Sequence, residues 1–226
     1  MNNIGVIGLS VMGLNLALNM ADKGYKVSIY NRTSSVVDEV MRDHGHENFT
    51  PTYNLEDFVK SLERPRRVFL MIKSGKPIDM VIDQLIGLLD EGDIIIDGGN
   101  SYFKDTIRRS KYLEDKKINY LGVGISGGEE GARFGPSGNR EAYEHVRDIF
   151  ENISAKAYGE ACCKYISTAG SGHYVKMVHN GIEYGDMQLI SEAYILLRDL
   201  GGMDNSQIQE VFEAWNKTEL ESYLIE

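Results

Sequence analysis

Short apolar runs alternate with segments of helical periodicity over the first 125 residues of the chain. The apolar runs predict strands at residues 3–8, 26–30, 67–72, 93–97 and 119–123, and the periodic segments predict helices at residues 12–21, 35–43, 55–62, 77–89 and 104–115. Apolar strands that are separated by helices are typical of a parallel sheet covered on both faces. We therefore predict an α/β fold with a doubly wound parallel sheet. Ligands of such sheets bind beyond the carboxyl ends of the strands.

The turn after the first predicted strand contains a glycine pattern that is known from nucleotide-binding folds. It reads Gly8-Leu9-Ser10-Val11-Met12-Gly13 and leads into the first predicted helix. In this pattern the first glycine permits a tight turn, the small second position admits a pyrophosphate at the helix N-terminus, and the last glycine lets helix and strand pack closely. Serine departs from the usual glycine at the second position but is also small. The sequence therefore predicts a Rossmann-like domain that binds a dinucleotide.

The end of the second predicted strand indicates which dinucleotide is bound. Asn31, Arg32 and Thr33 stand where an NAD-binding unit normally has an acidic residue for the ribose 2′-hydroxyl. A carboxylate would repel a 2′-phosphate, whereas an arginine can bind it through charge-assisted hydrogen bonds. The alternative is a surface arginine in a loop. We predict NADP rather than NAD.

Polar residues also follow three later strands, namely Lys73, Asn100 and Ser126. Because the carboxyl ends of parallel strands share one edge of the sheet, we expect these residues to lie at one place. Residues 124–132 are rich in glycine, and consecutive backbone N–H groups in such a segment can form a nest for an anion. A flexible connector is the alternative. A helix at residues 140–150 and a strand at residues 155–158 are expected to complete a first domain, residues 1–168.

A long helix is predicted from about residue 169 to residue 200, and it begins an all-helical second domain, residues 169–226. Lys176, His179, Asn180 and Glu183 share one face of this helix, and Lys176 and Glu183 stand roughly 10 Å apart along its axis. Such a stripe is usually solvated. Here the apolar opposite face, together with glycines at positions 181 and 185, predicts that the stripe is enclosed and can hold a base and an acid beside a small polar molecule.

The second domain has two further helix signals. Gly201 and Gly202 are expected to end the long helix, Asp204 to cap a helix as far as residue 214, and Thr218 to cap a last one.

Bulk composition excludes several classes of partner. The formal net charge is -10, which argues against nonspecific binding to nucleic acid or to an anionic membrane. No apolar run approaches the length of a membrane span, and the N-terminus has no pattern of a signal peptide. The adjacent residues Cys162 and Cys163 suit neither a disulfide framework nor a zinc site. We expect a reduced, cytoplasmic protein without a metal.

Five stretches together resemble the family of decarboxylating 6-phosphogluconate dehydrogenases. They are the glycine turn, the Asn31-Arg32-Thr33 segment, Asp97-Gly98-Gly99-Asn100-Ser101, the glycine-rich segment extended to Arg133, and the helix from Gly172 to Gln188. The last two are long and specific to the family. The resemblance implies that NADP oxidises 6-phosphogluconate at C3, that CO2 is lost, and that ribulose 5-phosphate is released, a step of the pentose phosphate pathway. It also implies a homodimer.

The resemblance assigns roles to individual residues. Lys176 matches the general base and Glu183 the general acid. Substrate contacts match Asn100, Ser126, Gly127, Gly128, His179, Asn180 and Tyr184. Cofactor contacts match Gly8, Leu9, Ser10, Val11, Met12, Gly13, Asn31, Arg32, Thr33, Lys73 and Asn100.

Two departures from the family pattern leave alternatives open. Gly135-Pro136-Ser137 passes directly to Gly138-Asn139 without the family's following Met-Pro-Gly turn. The sequence also stops at Glu226, before the further helical half that builds the dimer and completes the substrate pocket in long family members. We therefore expect a truncated all-helical domain. The alternatives are a noncatalytic NADP-binding module and a related 3-hydroxyacid dehydrogenase; a methyltransferase is disfavoured by Arg32.

Overall fold

A computed structural model describes residues 1–127 and 132–226 of the chain. These residues form two compact units, Met1–Met177 and Val178–Glu226, and the division between them falls inside one long helix.

The first unit is built on a seven-stranded sheet with the order β3-β2-β1-β4-β5-β6-β7. The strands are β1 (Ile4–Ile7), β2 (Val27–Tyr30), β3 (Phe49–Thr52), β4 (Arg67–Leu70), β5 (Ile94–Asp97), β6 (Asn119–Ser126) and β7 (Arg133–Gly138). The first six strands are parallel, and β7 pairs with β6 in the antiparallel sense. The chain order reverses between β1 and β4, which is the point where doubly wound sheets bind their ligands.

Helices cover both faces of this sheet. They are α1 (Val11–Asp22), α2 (Ser34–His44), α3 (Leu55–Lys60), α4 (Lys76–Ile86), α5 (Phe103–Glu114), α6 (Arg140–Glu144) and α7 (Arg147–Ile153). One buried cluster contains side chains of α1, α2, α6 and α7, and a second contains side chains of α3, α4 and α5. The predicted α/β fold with a doubly wound, mostly parallel sheet, followed by a long helix, is confirmed.

Both edge strands were missing from the sequence prediction. β3 contains Pro51 and β7 contains Pro136, and proline is tolerated at sheet edges because its missing N–H need not join a ladder. The predicted helix at residues 140–150 is instead two helices. The carbonyl of His145, between them, accepts a hydrogen bond of 2.9 Å from the Arg67 guanidinium.

The predicted strand at residues 155–158 is not part of the large sheet. It is reduced to β8 (Lys156–Ala157), which pairs with β9 (Glu160–Ala161) in a separate two-stranded hairpin. A glycine-containing turn closes this hairpin, with Tyr158 and Gly159 both at positive φ.

The long helix α8 spans Ser171–Asp199, and α9 spans Asn205–Trp215. Asp204 caps α9 as predicted: its carboxylate accepts from the backbone N–H of Gln207, and the Gln207 side chain accepts from the backbone N–H of Asp204. The predicted helix after Thr218 is wrong, because the described residues there form turns. The Thr218 hydroxyl donates to the carbonyl of Trp215 at 2.7 Å rather than capping a new helix. Among the described residues, no helix has the length and apolar character that a membrane crossing needs.

Candidate functional site

A cleft of about 720 Å³ opens at the carboxyl edge of the sheet, beside the reversal between β1 and β4. Its walls come from the ends of β1, β2, β4 and β5 and from the start of α4. Many of the residues that the sequence predicts to hold the cofactor line it: Gly8, Ser10, Met12, Asn31, Arg32, Thr33, Lys73 and Asn100. Four segments that are distant in sequence therefore meet in one space.

The glycine turn needs its first and last glycines for geometric reasons. Gly8 has a φ of +99°, and a Cβ atom there would lie 2.4 Å from the carbonyl oxygen of Met71. A Cβ atom at Gly13 would lie 2.0 Å from the carbonyl oxygen of Gly8. Ser10 is the N-cap residue of α1, and its side chain makes no capping hydrogen bond. The start of α1, with its unpaired N–H groups, thus faces the region where the predicted pyrophosphate belongs.

Three residues of the turn, Leu9, Val11 and Gly13, do not line the cleft. Leu9 is buried in the core, and its N–H donates to the side-chain oxygen of Asn31 at 3.3 Å. Val11 is the exposed first residue of α1. The Asn31 amide also donates to the carbonyl of Thr33 at 3.1 Å, so Asn31 ties the end of β2 to the glycine turn. Arg32 and Thr33 are exposed beside it.

The charge of the cleft is opposite to that of the whole chain. The formal net charge is -10, yet the lining residues include the cations Arg32 and Lys73 and, within the part of the chain that the structure describes, no aspartate or glutamate. An anionic ligand is therefore favoured here by its local surroundings.

A buried polar network that the sequence did not predict supports the loop after β5. Asp97 ends β5 and is fully buried. One of its carboxylate oxygens accepts from the N–H of Gly99 at 3.1 Å, and the other accepts from Ser101 Oγ at 2.6 Å and Tyr120 OH at 2.7 Å. Burial, followed by the Asp97 charge, raises the pKa of Tyr120 well above its ordinary value, so the phenol stays a donor. The hydrogen bonds of Asp97 thereby fix the loop that carries Asn100.

Arg109 on α5 extends this network to the loop after β4. Its Nη1 lies 3.5 Å from Asp97 Oδ2, its Nε donates to Asp79 Oδ1 at 2.8 Å, and its Nη2 donates to the carbonyl of Gly75 at 3.0 Å. Burial alone would raise the pKa of Asp79, but hydrogen bonds from Arg109 and Arg108 outweigh it and lower that pKa. One buried guanidinium thus joins the loops that carry Lys73 and Asn100. An acidic residue at the end of an apolar strand was the only sequence signal for it.

The predicted substrate residues after β6 are partly described. Ser126 is the last residue of β6 and is half-buried, and Gly127 is exposed with a φ of +92°. Neither lines the cleft described above. Gly128 lies outside the described residues, as do positions 129–131 of the predicted anion nest.

Lys176 is placed by close contacts between the backbone of α8 and the sheet. A Cβ atom at Gly124 would lie 2.6 Å from the carbonyl oxygen of Gly172 and 2.9 Å from the Cβ of Lys176. A Cβ atom at Gly172 would lie 2.1 Å from the carbonyl oxygen of Gly135. The first turns of α8 therefore rest directly on β6 and β7, and the half-buried Lys176 stands beside the middle of β6.

The remaining predicted residues, His179, Asn180, Glu183 and Tyr184, lie on the part of α8 that belongs to the second unit. His179 Nδ1 lies 3.7 Å from a carboxylate oxygen of Glu183 and 3.4 Å from the side-chain oxygen of Asn180. These three polar groups form a continuous row on one helix face. Tyr184 is exposed.

The prediction that this stripe is enclosed is wrong for the chain as it stands. His179 is exposed, Asn180 and Glu183 are only half-buried, and the apolar residues Val178, Ile182 and Leu189 are exposed as well. A Cβ atom at Gly181 or Gly185 would meet nothing within 4 Å among the described residues. The physical reason is that no described element of the second unit packs over this face.

The parallel sheet, the glycine turn and the adjoining cleft define a Rossmann-like protein of the dinucleotide-binding class. Residues 3–167 match the sequence model described as the NAD binding domain of 6-phosphogluconate dehydrogenase, and residues 172–226 match the model of the 6-phosphogluconate dehydrogenase C-terminal domain. The chain belongs to the 6-phosphogluconate dehydrogenase family.

Individual relatives agree with this assignment. The chain is similar to two decarboxylating 6-phosphogluconate dehydrogenases of Bacillus subtilis (strain 168). The NADP(+)-dependent one is 55% identical over 99% of this chain and 48% of that protein, and the NAD(+)-dependent one is 54% identical over 100% of this chain and 49% of that protein. The solved structure of Plasmodium falciparum 6-phosphogluconate dehydrogenase superposes with a TM-score of 0.93 at 44% identity, covering 98% of this chain and 49% of that chain. The chain thus spans about half the length of the relatives it matches.

Proposed function

We propose that this chain supplies the cofactor-binding part and the catalytic helix of an NADP-dependent 6-phosphogluconate dehydrogenase. The enzyme would convert 6-phosphogluconate to ribulose 5-phosphate and CO2 in the pentose phosphate pathway. The observation that carries the proposal is the cleft at the sheet reversal, which combines a glycine turn at a helix N-terminus with two cations and, within the described chain, no acidic residue. The family membership, and the activity for which the relatives are named, support the choice of substrate.

The choice of NADP over NAD depends on Arg32. Two relatives of nearly equal identity are named for different cofactors, so overall similarity cannot decide between them. Arg32 lies in the lining of the cleft at the end of β2, where a ribose 2′-phosphate would be read. An arginine there attracts a 2′-phosphate, and no carboxylate among the described lining residues repels it.

The residues of the cleft and of α8 divide the chemistry between them. When bound, the cofactor supplies the acceptor for the hydride that leaves C3 of the substrate. Lys176 takes the proton of the C3 hydroxyl and then, as an ammonium, polarises the resulting carbonyl while the C1 carboxylate leaves as CO2. Glu183 then donates a proton to C1 of the five-carbon enediol that remains, which gives ribulose 5-phosphate. Asn100, Ser126, Gly127, Gly128, His179, Asn180 and Tyr184 are proposed to bind the substrate.

Domain organisation, assembly and location follow from the same resemblance. We propose domains at residues 1–168 and 169–226, a homodimer, and a cytoplasmic location. The two family models meet between residues 167 and 172, which supports the domain boundary. The exposed apolar side chains of the second unit support an assembly that covers them. The net charge of -10 supports the absence of a nucleic-acid partner.

The proposal is tested by NADPH absorbance after 6-phosphogluconate is added to the full-length protein with NADP or NAD. Arg32→Ala removes charged hydrogen bonds worth about 1.5–3 kcal/mol, so its affinity for NADP should fall roughly 10- to 150-fold while its affinity for NAD stays the same. Arg42→Ala is the matched control, because Arg42 is an exposed arginine of α2 that pairs with Asp43 outside the cleft. Equal affinity for both cofactors in the wild type, unchanged in Arg32→Ala, would contradict the cofactor assignment.

The catalytic roles need a separate pair of variants. Lys176→Ala and Glu183→Ala should abolish turnover and leave NADP affinity within about twofold of the wild type, since neither residue lines the cofactor cleft. If the wild type binds NADP but does not turn over 6-phosphogluconate, the alternative of a noncatalytic NADP-binding module is supported instead.

A further inference from the structure

His173 is a buried titratable residue that the proposed chemistry does not use. It lies in the first turn of α8, three residues before Lys176, and its side chain is 2% exposed. Its Nδ1 lies 2.7 Å from the hydroxyl oxygen of Thr106, a fully buried residue of α5. A single short hydrogen bond therefore links the turn that carries Lys176 to a helix on the face of the sheet.

The ring of His173 also fills a gap that the sheet leaves for it. A Cβ atom at Gly122 of β6 would lie 3.1 Å from His173 Nδ1 and 2.5 Å from the methyl carbon of Thr106. The imidazole and the threonine methyl thus occupy the place of a side chain at position 122. Neither group can shift towards β6 without a clash, so the position of the ring is tightly limited.

His173 faces the loop after β5 from its other side. Burial lowers its pKa, although the Asp97 charge and the backbone groups of Asp97 and Gly99 act in the opposite direction. The buried Arg109 charge also favours the neutral ring. Nε2 is buried and makes no hydrogen bond to any residue within the described ranges. The neutral imidazole therefore stands between the turn of Lys176 and the loop that leads to Asn100.

We propose that His173 and Thr106 are positioning residues that hold Lys176 in register with Asn100. His173 and Lys176 are three positions apart and lie on nearly the same side of the helix. A rotation of this turn about the helix axis would move both side chains together. The bond to Thr106 and the contact with Gly122 oppose such a rotation. The inference rests on the proposed function, because it takes Lys176 as the base and Asn100 as a substrate ligand.

A residue that only filled space at position 173 would not need the hydrogen bond to Thr106. An apolar side chain would fill the same space without the cost of burying an imidazole and a hydroxyl. A hydrogen bond adds a direction that apolar packing lacks, and catalytic groups depend on direction. A misplacement of about 1 Å in a reacting group can lower the rate roughly 100-fold.

The test compares three threonine variants in the full-length protein. Thr106→Val keeps the shape of the side chain and removes its hydroxyl, whereas Thr106→Ser keeps the hydroxyl and removes the methyl. Thr52→Val is the matched control, because Thr52 is also buried and donates to a backbone carbonyl, that of Ile29, at 2.9 Å. The measurements are kcat and KM for 6-phosphogluconate, NADP affinity, thermal stability, and amide hydrogen exchange at residues 98–101 and 173–177.

We expect Thr106→Val to lower kcat about tenfold or more, with NADP affinity within twofold of the wild type. Amide exchange at residues 173–177 should accelerate. Thr106→Ser should retain most of the activity. Thr52→Val should lose about as much thermal stability as Thr106→Val. Its kcat should not fall, and its amide exchange at residues 173–177 should not accelerate.

Two results would overturn the proposal. The first is a kcat of Thr106→Val equal to that of Thr52→Val, and the second is amide exchange at residues 173–177 that does not change. If the wild type shows no turnover of 6-phosphogluconate, the proposed function fails. Amide exchange then still decides whether Thr106 fixes the first turn of α8.

Discussion

Replacement of Arg109 by methionine would remove the charge that joins the two loops of the cofactor cleft. Arg109 is 1% exposed, and it donates to Asp79, to the carbonyl of Gly75 and, at 3.3 Å, to Ser101 Oγ. Methionine has a similar unbranched stem and no donor. The variant therefore isolates the polar contacts of the guanidinium from the packing of its stem.

The expected loss of stability follows from the charge that is left behind. Asp97 is fully buried, and Arg109 is its ion-pair partner at 3.5 Å. Breaking a buried pair by removing one partner costs about 3–5 kcal/mol, because the other charge stays buried without an opposite charge beside it. A loss of about 1 kcal/mol lowers the melting temperature of a chain of this size by roughly 2–4 °C, so the variant should melt roughly 6–20 °C lower. Such a loss is a large part of a typical folding free energy of about 5–15 kcal/mol.

The neighbouring Arg108 provides the control. Like Arg109, it contacts the carboxylate of Asp79, with Nη2 at 2.9 and 3.0 Å from its two oxygens. The side chain of Arg108, however, is 55% exposed. Exposed ion pairs contribute about 0–1 kcal/mol, so Arg108→Met should cost no more than that. Urea denaturation followed by circular dichroism measures both variants. Equal losses for the two would refute the argument that burial, rather than the number of contacts, sets the cost.

Three further predictions concern α8, Cys163 and the pH dependence of the Asp79–Arg109 pair. Gly172→Ala should prevent α8 from docking on the sheet, and this should be measured as a large fall in the melting temperature. Gly181→Ala in this chain should either leave stability unchanged or increase it by about 1 kcal/mol. Burial raises the pKa of Cys163 to about 11, so alkylation followed by mass spectrometry should find it unreactive near neutral pH and increasingly reactive as the pH approaches that value. Because the pKa of Asp79 is lowered, its contribution to stability is lost as pH falls below about 4, and the difference between wild type and Arg109→Met should narrow there.

Each of these predictions has a result that contradicts it. Normal stability of Gly172→Ala would mean that α8 does not lie against β7 as described. Rapid alkylation of Cys163 at neutral pH would mean that burial does not raise the pKa of its thiol. A constant difference between wild type and Arg109→Met down to low pH would show that the Asp79 charge plays no part.

The central strands could be predicted from sequence because burial on both faces leaves an almost continuous apolar run, as in Ile94-Ile95-Ile96 of β5. The edge strands β3 and β7 carry no such run. Each has a neighbour on only one side, so proline, glycine and polar residues are accepted there. Their place in the sheet is set by contacts with β2 and β6, which no local pattern records.

The cofactor side of the site was predictable for a similar reason. Its residues follow strands whose ends must meet at one edge, and Gly8, Lys73 and Asn100 do meet there. The network around Asp97 was not predictable, because Arg109 reaches Asp79 across 30 positions of sequence through the packing of α5 on α4. Both arginines of α5 look alike in the sequence, and only the fold buries one of them.

Helix α8 shows why a glycine in a helical pattern needs a partner before it can be interpreted. Gly172 and Gly181 stand in the same helix, and either could indicate close packing. At Gly172 the carbonyl oxygens of Gly135 and Gly122 occupy the space of a Cβ atom, so glycine is a geometric requirement of the contact that places Lys176 beside β6. At Gly181 nothing described lies within 4 Å, so the same residue type meets no such requirement in this chain. The close approach thus depends on the backbones of β6 and β7 as well as on that of α8. A glycine pattern therefore predicts where a backbone can come near, and among the glycines of α8 only Gly172, close to Lys176, meets the backbone of a strand within the described structure.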